Sequence, residues 1–288
     1  MRIFHRLRHP RLTPLLAVYL GAMSTVGTAQ QYDAQRDEAT TPEELETIIV
    51  TARRTAESGF DLAMSWAVLD QTSIERVAAQ HSNQLFNRVS GAWVSRGNGQ
   101  ESLVSLRSPV LTGAGSCGAF MTAQDGISMR SPGFCNVNQL FDANLLQAGR
   151  VEVLKGPGAV VFGSNALYGI INVVTRSVDA TPSQVRVEGG SRDYYRVSAS
   201  GAVDGGIALS AQTSQYGGYQ DASGYDQQKA TLRIDQEWGN WRVDGALEGS
   251  QLDQETAGYI RGFEAYEDDQ ARKENPNPEA YRNAWSGR

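Results

Sequence analysis

The sequence predicts a two-part fold: an α+β domain, followed by antiparallel strands of a transmembrane β-barrel that stays incomplete in this chain. Three observations predict it. The chain opens on an export signal and has no later apolar stretch suited to a spanning helix, so a membrane role falls to β-strands. Helix and strand signals mix over residues 64–176. From Gln184 onward, long segments place apolar residues at every second position.

Arg2, Arg6, Arg8 and Arg11 make the start basic, and "LLAVYLGAM" (Leu15 to Met23) is apolar but short of the ~20 residues a spanning helix needs. Gly27 and Ala29 supply small residues for cleavage. This is the layout of a secretory signal peptide over residues 1–29, with a short membrane anchor as the alternative. Removing those residues takes away four arginines and no acid, so the formal charge of −6 becomes −10. Such a chain lacks the basic footprint of a nucleic-acid binder.

Two cysteines occur, Cys117 and Cys135. In an exported protein they most simply form one disulfide, the alternative being two free thiols. After cleavage His81 is the single histidine. It precedes "SNQLF" and is expected on the surface at a helix start. The usual zinc sets and Cys–His catalysis have no residues to draw on, so no catalytic residue, metal ligand or cofactor is assigned.

The leader, residues 30–60, is polar except for a β-prone run in "ELETIIVTARR" (Glu44 to Arg54). A sticky strand with nothing local to pair with is an aggregation hazard. Either it joins a sheet of its own fold or it pairs with another protein.

In the α+β domain, residues 61–176, "MSWAVLD" suits a strand. Thr72 and Glu75 fit a capping box that opens the helix "SIERVAAQ". Ser82 can cap a second helix, with Leu85, Phe86 and Val89 on one face and Gly91 as its stop. "SLVSLRS" is a further strand. "GAFMTAQDGISMR" reads as a hairpin about Asp125-Gly126, because a type I′ turn needs positive φ. That hairpin lies between the two cysteines and returns the chain, so they should approach near its open end.

"RVEVLKGPGAVVFGSNALYGIINVVTR" (Arg150 to Arg176) gives a strand from Val151 to Leu154, then Gly156-Pro157-Gly158, a short helix-prone piece, and a strand from Gly169 to Thr175. A dinucleotide-binding loop is the first alternative. Its spacing fails, since the next glycine, Gly163, comes five residues on rather than three, and little room remains for a crossover helix.

After a linker, residues 177–183, the barrel segments begin. "QVRVEGG", "YYRVSASGAV", "IALSAQTSQY", "QKATLRIDQEW" and "WRVDGALEGSQL" all alternate. Val197, Ala199 and Val203 interleave with Arg196, Ser198 and Ser200; Leu232 and Ile234 interleave with Thr231, Arg233 and Asp235. Asp204-Gly205 and Gly239-Asn240 are tight turns, whereas Gln215 to Asp226 and the stretch after Gln254 are long loops. Short turns alternating with long loops distinguish an outer-membrane barrel from a soluble sandwich. Trp238 and Trp241 suit an interfacial aromatic girdle. About five strands cannot close, since small barrels need about 8 and plugged transporters have ~22. Residues 184–288 are therefore expected to be the first strands of a truncated barrel.

These motifs, in this order, resemble the TonB-dependent outer-membrane receptors. The family's "ERIEVLRGP", "xxYG" and "GGxINIxTK" are matched by Val151-Glu152-Val153-Leu154-Lys155-Gly156-Pro157, by Phe162-Gly163, and by Gly169 to Arg176 with Asn172 in place. Tyr168 stands where the family often has glycine. "LFNRVSGAWVSR" resembles "LLxxxPGVxVxR" with Ser90 for proline, and "QDGISM" resembles "xDGVPx".

The resemblance implies that residues 61–176 are a plug domain. Glu46, Thr47, Ile48, Ile49, Val50, Thr51 and Ala52 would be the TonB box, paired by strand addition with TonB, which the ExbB–ExbD motor energises. The loops carrying Arg107, Arg130, Phe134, Asn136 and Asn138 would face ligand. The protein would sit in the outer membrane of a Gram-negative cell, in contact with lipid and with its leader in the periplasm. It would import a scarce nutrient, a ferric siderophore by family default. No bond in the ligand changes, so it would not be an enzyme. A truncated plug protein that binds TonB or signals without transport is one alternative. A secreted carbohydrate-active enzyme is another, for which no convincing carboxylate pair is visible.

Overall fold

The α+β domain is built on a five-stranded sheet whose two central strands are buried on both faces. The computed structural model describes residues 49–50, 57–58, 64–97, 99–112, 118–130, 139–157 and 162–288. In the leader, β1 (Ile49–Val50) pairs antiparallel with β2 (Glu57–Ser58). The α+β domain then runs β3 (Ser65–Asp70), α1 (Gln71–Val77), α2 (Ser82–Phe86), β4 (Ala92–Arg96), β5 (Ser102–Leu106), β6 (Phe120–Gln124), β7 (Ile127–Ser128), β8 (Ala148–Lys155) and β9 (Gly169–Thr175).

The five-stranded sheet has the order β3-β8-β9-β6-β7, and β4 and β5 form a separate hairpin. Strands β8 and β9 are central. Val151, Val153, Ile171 and Val173 join the main core with Ile74, Leu85 and Phe86, whereas Ile170 on the opposite face packs with Met121, Ala123 and Ala166. Near-continuous apolar runs of this kind fit strands covered on both sides. Among the described residues β3 has a single ladder, to β8, and is an edge strand. The Asp125-Gly126 turn has φ of 47° and 78°, the two positive values a type I′ turn requires.

Two capping expectations are corrected. Helix α1 is capped by Asp70, whose carboxylate accepts from the Ser73 N–H at 2.7 Å, and not by Thr72. Asp70 ends the preceding strand in extended conformation, which is the geometry an N-cap needs. Helix α2 is capped by His81 in place of Ser82, with Gln84 completing a capping box.

The second sheet is an up-and-down meander: β10 (Gln184–Gly190), β11 (Tyr194–Val203), β12 (Ile207–Tyr216), β13 (Tyr225–Trp238), β14 (Trp241–Glu255) and β15 (Tyr281–Gly287), each antiparallel to the next. The bounds of β10, β11 and β12 are those the alternation predicts. Strand β15 was expected to be loop, so the described residues hold six strands and not five. The first tight turn takes three residues, Asp204 to Gly206, because β12 begins at Ile207. The two long connections are bonded to each other: Gln220 Nε2 donates to the Gly258 and Glu274 carbonyls at 3.0 and 2.9 Å.

This sheet is inverted in polarity. Val185, Val187, Val203, Leu209, Leu247 and Trp285 are exposed, as are Trp238 and Trp241 at the β13–β14 turn. Ser210, Gln212, Gln227, Lys229, Thr231, Ser250 and Gln254 are buried on the other face. A soluble sandwich buries its apolar face; a barrel wall in lipid presents it outward.

Candidate functional site

The buried polar face of the wall closes on the α+β domain. Helix α1 ends with Ala78 in the left-handed region, φ 46°, which leaves its last carbonyls without helical partners. Arg196, on β11 and only 3% exposed, fills that need from the wall. Its Nη2 and Nη1 donate to the Ala78 and Ala79 carbonyls, each at 2.7 Å, and Nη2 also meets the Glu188 carboxylate at 2.5 Å. A cation at a helix C-terminus is favoured by the helix dipole as well as by these bonds.

Further bonds repeat the pattern. Lys229 Nζ donates to the Ala143 carbonyl at 2.6 Å, and Asn144 Nδ2 to Thr231 Oγ1 at 2.9 Å. At the turn between β4 and β5, the Gln100 N–H donates to Gln254 Oε1 at 2.9 Å, and Arg282 pairs with Glu101 at 3.0 Å. Phe141, Tyr225 and Leu252 make a small apolar contact beside them. Gln254 and Arg282 flank the long connection, residues 256–280, so this turn is where the domain meets that loop.

Ser82 Oγ, Tyr194 OH, Arg196 Nε and Gln212 Oε1 are buried and have no protein partner among the described residues. All four residues line one cavity of about 40 Å³ between helices α1–α2 and strands β11–β13. That is room for about three waters.

His81 lines the same cavity and is buried, not on the surface as its polarity alone suggested. Its Nδ1 accepts from the Asn83 N–H at 3.1 Å, and its Nε2 lies 3.0 Å from the Glu101 carbonyl. Asn83 Oδ1 also lies 2.9 Å from Nδ1, and the tautomer with Nε2 protonated is the one that serves the Asn83 N–H and the Glu101 carbonyl together. Burial pushes its pKa below the ordinary 6.5, against the opposing pull of the Glu101 bond. The neutral ring thus contributes stability that is fully present above 6.5 and is lost as pH falls through the lowered folded value. Denaturant unfolding from about pH 8 to about pH 5 should show wild type losing more stability than His81→Asn, which keeps a capping acceptor. Parallel curves would remove His81 as the cause.

Glu152 and Asn172 lie opposite each other on the two central strands of the five-stranded sheet, and the other motif residues, from Lys155 to Gly169, lie at one end of those strands and in their connection. Glu152 is fully buried and pairs with Arg150 at 2.8 Å. Asn172 Oδ1 accepts from the Gly126 N–H at 2.9 Å and so holds the hairpin turn. Lys155 Nζ donates to the Ser90 carbonyl at 2.8 Å; burial and the nearby Arg107 charge lower its pKa. Gly156 N–H donates to the Tyr168 carbonyl at 2.8 Å, Pro157 follows it, and Gly163 and Gly169 have φ of 83° and 154°. Tyr168 has no positive φ, so glycine is not needed there.

Arg107 donates to Ser65 Oγ at 2.8 Å, at the opposite end of β5 from Glu101. The Arg130 N–H bonds Ser128 Oγ at 3.2 Å. Phe134, Asn136, Asn138, Cys117 and Cys135 lie outside the described residues, as do Glu46, Thr47, Ile48, Thr51 and Ala52 of the leader. The wall contacts of Arg196, Lys229, Gln254 and Arg282 were not anticipated. The "GNG" turn at residues 97–99 was the available signal for the hairpin that reaches β14.

An inward-polar, outward-apolar meander seated against a compact domain defines a class: outer-membrane barrel strands around an internal plug. Residues 58–170 match the TonB-dependent receptor plug domain. Over those residues the chain is similar to the TonB-dependent receptors. It is 28% identical over 182 residues to the vitamin B12 transporter BtuB of Vibrio vulnificus, covering 63% of this chain and 29% of that protein. To BtuB of Vibrio cholerae it is 26% identical over 207 residues, 71% of this chain and 32% of that one. The chain thus spans about a third of the length of these relatives. Its fold is similar to the pyoverdine receptor FpvA of Pseudomonas aeruginosa (TM-score 0.57, 15% identity, 74% of this chain and 32% of that one). It is also similar to the ferric citrate transporter FecA (TM-score 0.56, 18% identity, 75% and 35%). These relatives are transporters and receptors, not enzymes.

Proposed function

We propose that this chain serves in TonB-dependent uptake of a scarce nutrient across the outer membrane. The observation that carries this is the plug seated on the polar face of the wall. A cation from the wall caps a plug helix there, and in a closed barrel the plug would obstruct the pore. Residues 1–29 would be the signal peptide, 30–60 the leader, 61–176 the plug, 177–183 the linker and 184–288 the barrel strands. The exposed valines, leucines and tryptophans would meet lipid. The leader would lie in the periplasm, with residues 46–52 as the TonB box, and TonB driven by ExbB–ExbD would pull on it. Cys117 and Cys135 would form a disulfide, which peptide mapping without reductant can read.

Arg130, Phe134, Asn136 and Asn138 are proposed to face ligand. Arg107, exposed and bonded to Ser65 Oγ, is proposed to face ligand with them. A ferric siderophore is the family's default ligand. Cobalamin is the second reading, favoured by the two Vibrio relatives.

The test uses the full-length receptor. Ile49→Ala should retain part of the TonB interaction. Ile49→Pro should abolish energised uptake while ligand binding stays intact, because proline deletes a backbone donor and resists a paired strand. Loss of ligand binding in Ile49→Pro would instead make the segment a structural strand of the plug. Binding measured with a ferric siderophore and with cobalamin separates the two ligand readings.

A further inference from the structure

The cavity between helices α1–α2 and strands β11–β13 is one-sided in its chemistry. Arg196 and Lys229 line it, and among the described residues no carboxylate does. Glu188 meets Arg196 from outside the lining, and Asp142 and Glu248, whose charges oppose that of Lys229, stand outside it too. The unpartnered atoms carry the same bias. Arg196 Nε can only donate. The Ser82 and Tyr194 hydroxyls can donate, and the Gln212 amide, turned over, presents its Nε2 in place of the acceptor. Ser82, Tyr194, Arg196 and Gln212 are each at least nine-tenths buried. None of these atoms bonds another, although their residues line the same space. Lys229 uses one of its N–H donors on the Ala143 carbonyl and has others left. Ile74, Leu85 and Leu140 add apolar lining, which keeps the local dielectric low.

We propose that this cavity binds a small monovalent inorganic anion of the halide class, chloride being the common one, and that the anion joins the plug to the wall. Buried donors left without partners are costly, and one anion answers several of them through charge-assisted bonds. Water serves donors and acceptors alike, whereas a lining with two cations and a surplus of donors matches an anion. About 40 Å³ admits a halide with a water or two. A tetrahedral oxyanion brings more oxygens and more charge than these donors answer. Ser82 belongs to plug helix α2, and Tyr194, Arg196 and Gln212 belong to wall strands β11 and β12. The anion therefore takes bonds from both sides, and by mass action it stabilises the seated plug. This depends only on the seating of plug against wall and holds whichever nutrient is carried.

The experiment compares the purified full-length receptor in sodium chloride and in sodium gluconate, each at about 0.15 M, with protease cleavage of α1 as the readout. Gluconate is too large for the cavity. Replacing chloride should speed cleavage about three- to tenfold, the factor 1 + [L]/Kd for a site mostly filled at this concentration. Ser82→Ala/Tyr194→Phe removes two hydroxyls that have no protein partner among the described residues. This variant should be cleaved at the same rate in the two salts. Crystals of the wild-type receptor grown in sodium bromide should show an anomalous peak in the cavity, within hydrogen-bonding reach of Arg196 Nε. Equal cleavage of wild type in the two salts would overturn the proposal even beside a bromide peak, which would then be binding at crystal concentration only. A chloride effect that survives in the double variant would place the anion elsewhere. Waters without an anomalous peak would make the cavity merely hydrated. If the double variant does not fold, the wild-type salt comparison and the bromide map still decide.

Discussion

Gly169→Ala is expected to destabilise the plug by more than about 3 kcal/mol, enough to unfold a marginal domain. Two costs add. Gly169 holds φ of 154°, a conformation other residues adopt only under strain of ~1–3 kcal/mol. A Cβ there would also lie 2.3 Å from the Leu154 carbonyl oxygen and 3.0 Å from Leu106 Cδ1. The first neighbour is backbone of β8, which is paired on both sides and cannot step back. Gly163→Ala is the matched comparison. Its φ is 83°, but nothing lies within 4 Å of the new Cβ, so only the strain remains. Urea unfolding of the two variants should therefore differ by a kcal/mol or more, on the order of the clash. Equal losses would show that conformation alone selects glycine at residue 169.

Arg196→Met is expected to loosen the plug from the wall at a cost of ~2–4 kcal/mol, since it leaves the α1 C-terminal carbonyls unpaired in a buried place. Methionine keeps much of the stem's packing, which isolates the loss of the guanidinium. Arg196→Lys should recover only part, because an ammonium lacks the planar fork that reaches Ala78 and Ala79 together. Protease accessibility of α1 in the full receptor reads the effect. Wild-type protection in Arg196→Met would mean the other wall contacts suffice.

What could be read in advance follows from the range of the interactions. The Asp125-Gly126 turn and the bounds of β10 to β12 depend on local backbone chemistry and a period of two, both written in consecutive residues. Strand β15 went unread because in "YRNAWSG" Asn283 interrupts the outward face of Tyr281 and Trp285, and Ala284 the polar inward face of Arg282 and Ser286. Its pairing with β14 is made across a connection of residues 256–280. His81 looks like a surface residue until the Glu101 carbonyl, 20 positions away, meets its ring. Arg196 and Lys229 were legible as a polar face, but their partners lie 117 and 86 positions upstream. The motif glycines were visible as a pattern; the backbone oxygen that forbids a Cβ at Gly169 was not.

The inverted polarity of the wall has a thermodynamic consequence. A seat in which Gln227, Lys229, Thr231 and Gln254 bond the plug grips chiefly through hydrogen bonds, and the apolar contact around Phe141 is small. Each such bond exchanges for one to water at a net cost of only ~1 kcal/mol. Apolar surface would add ~25 cal/mol for every Å² bared and a large rise in heat capacity. Parting this plug from its wall should therefore show a small heat-capacity change for the area exposed. It should also be reversible, since water can enter the seat behind the retreating side chains and leave again as they return.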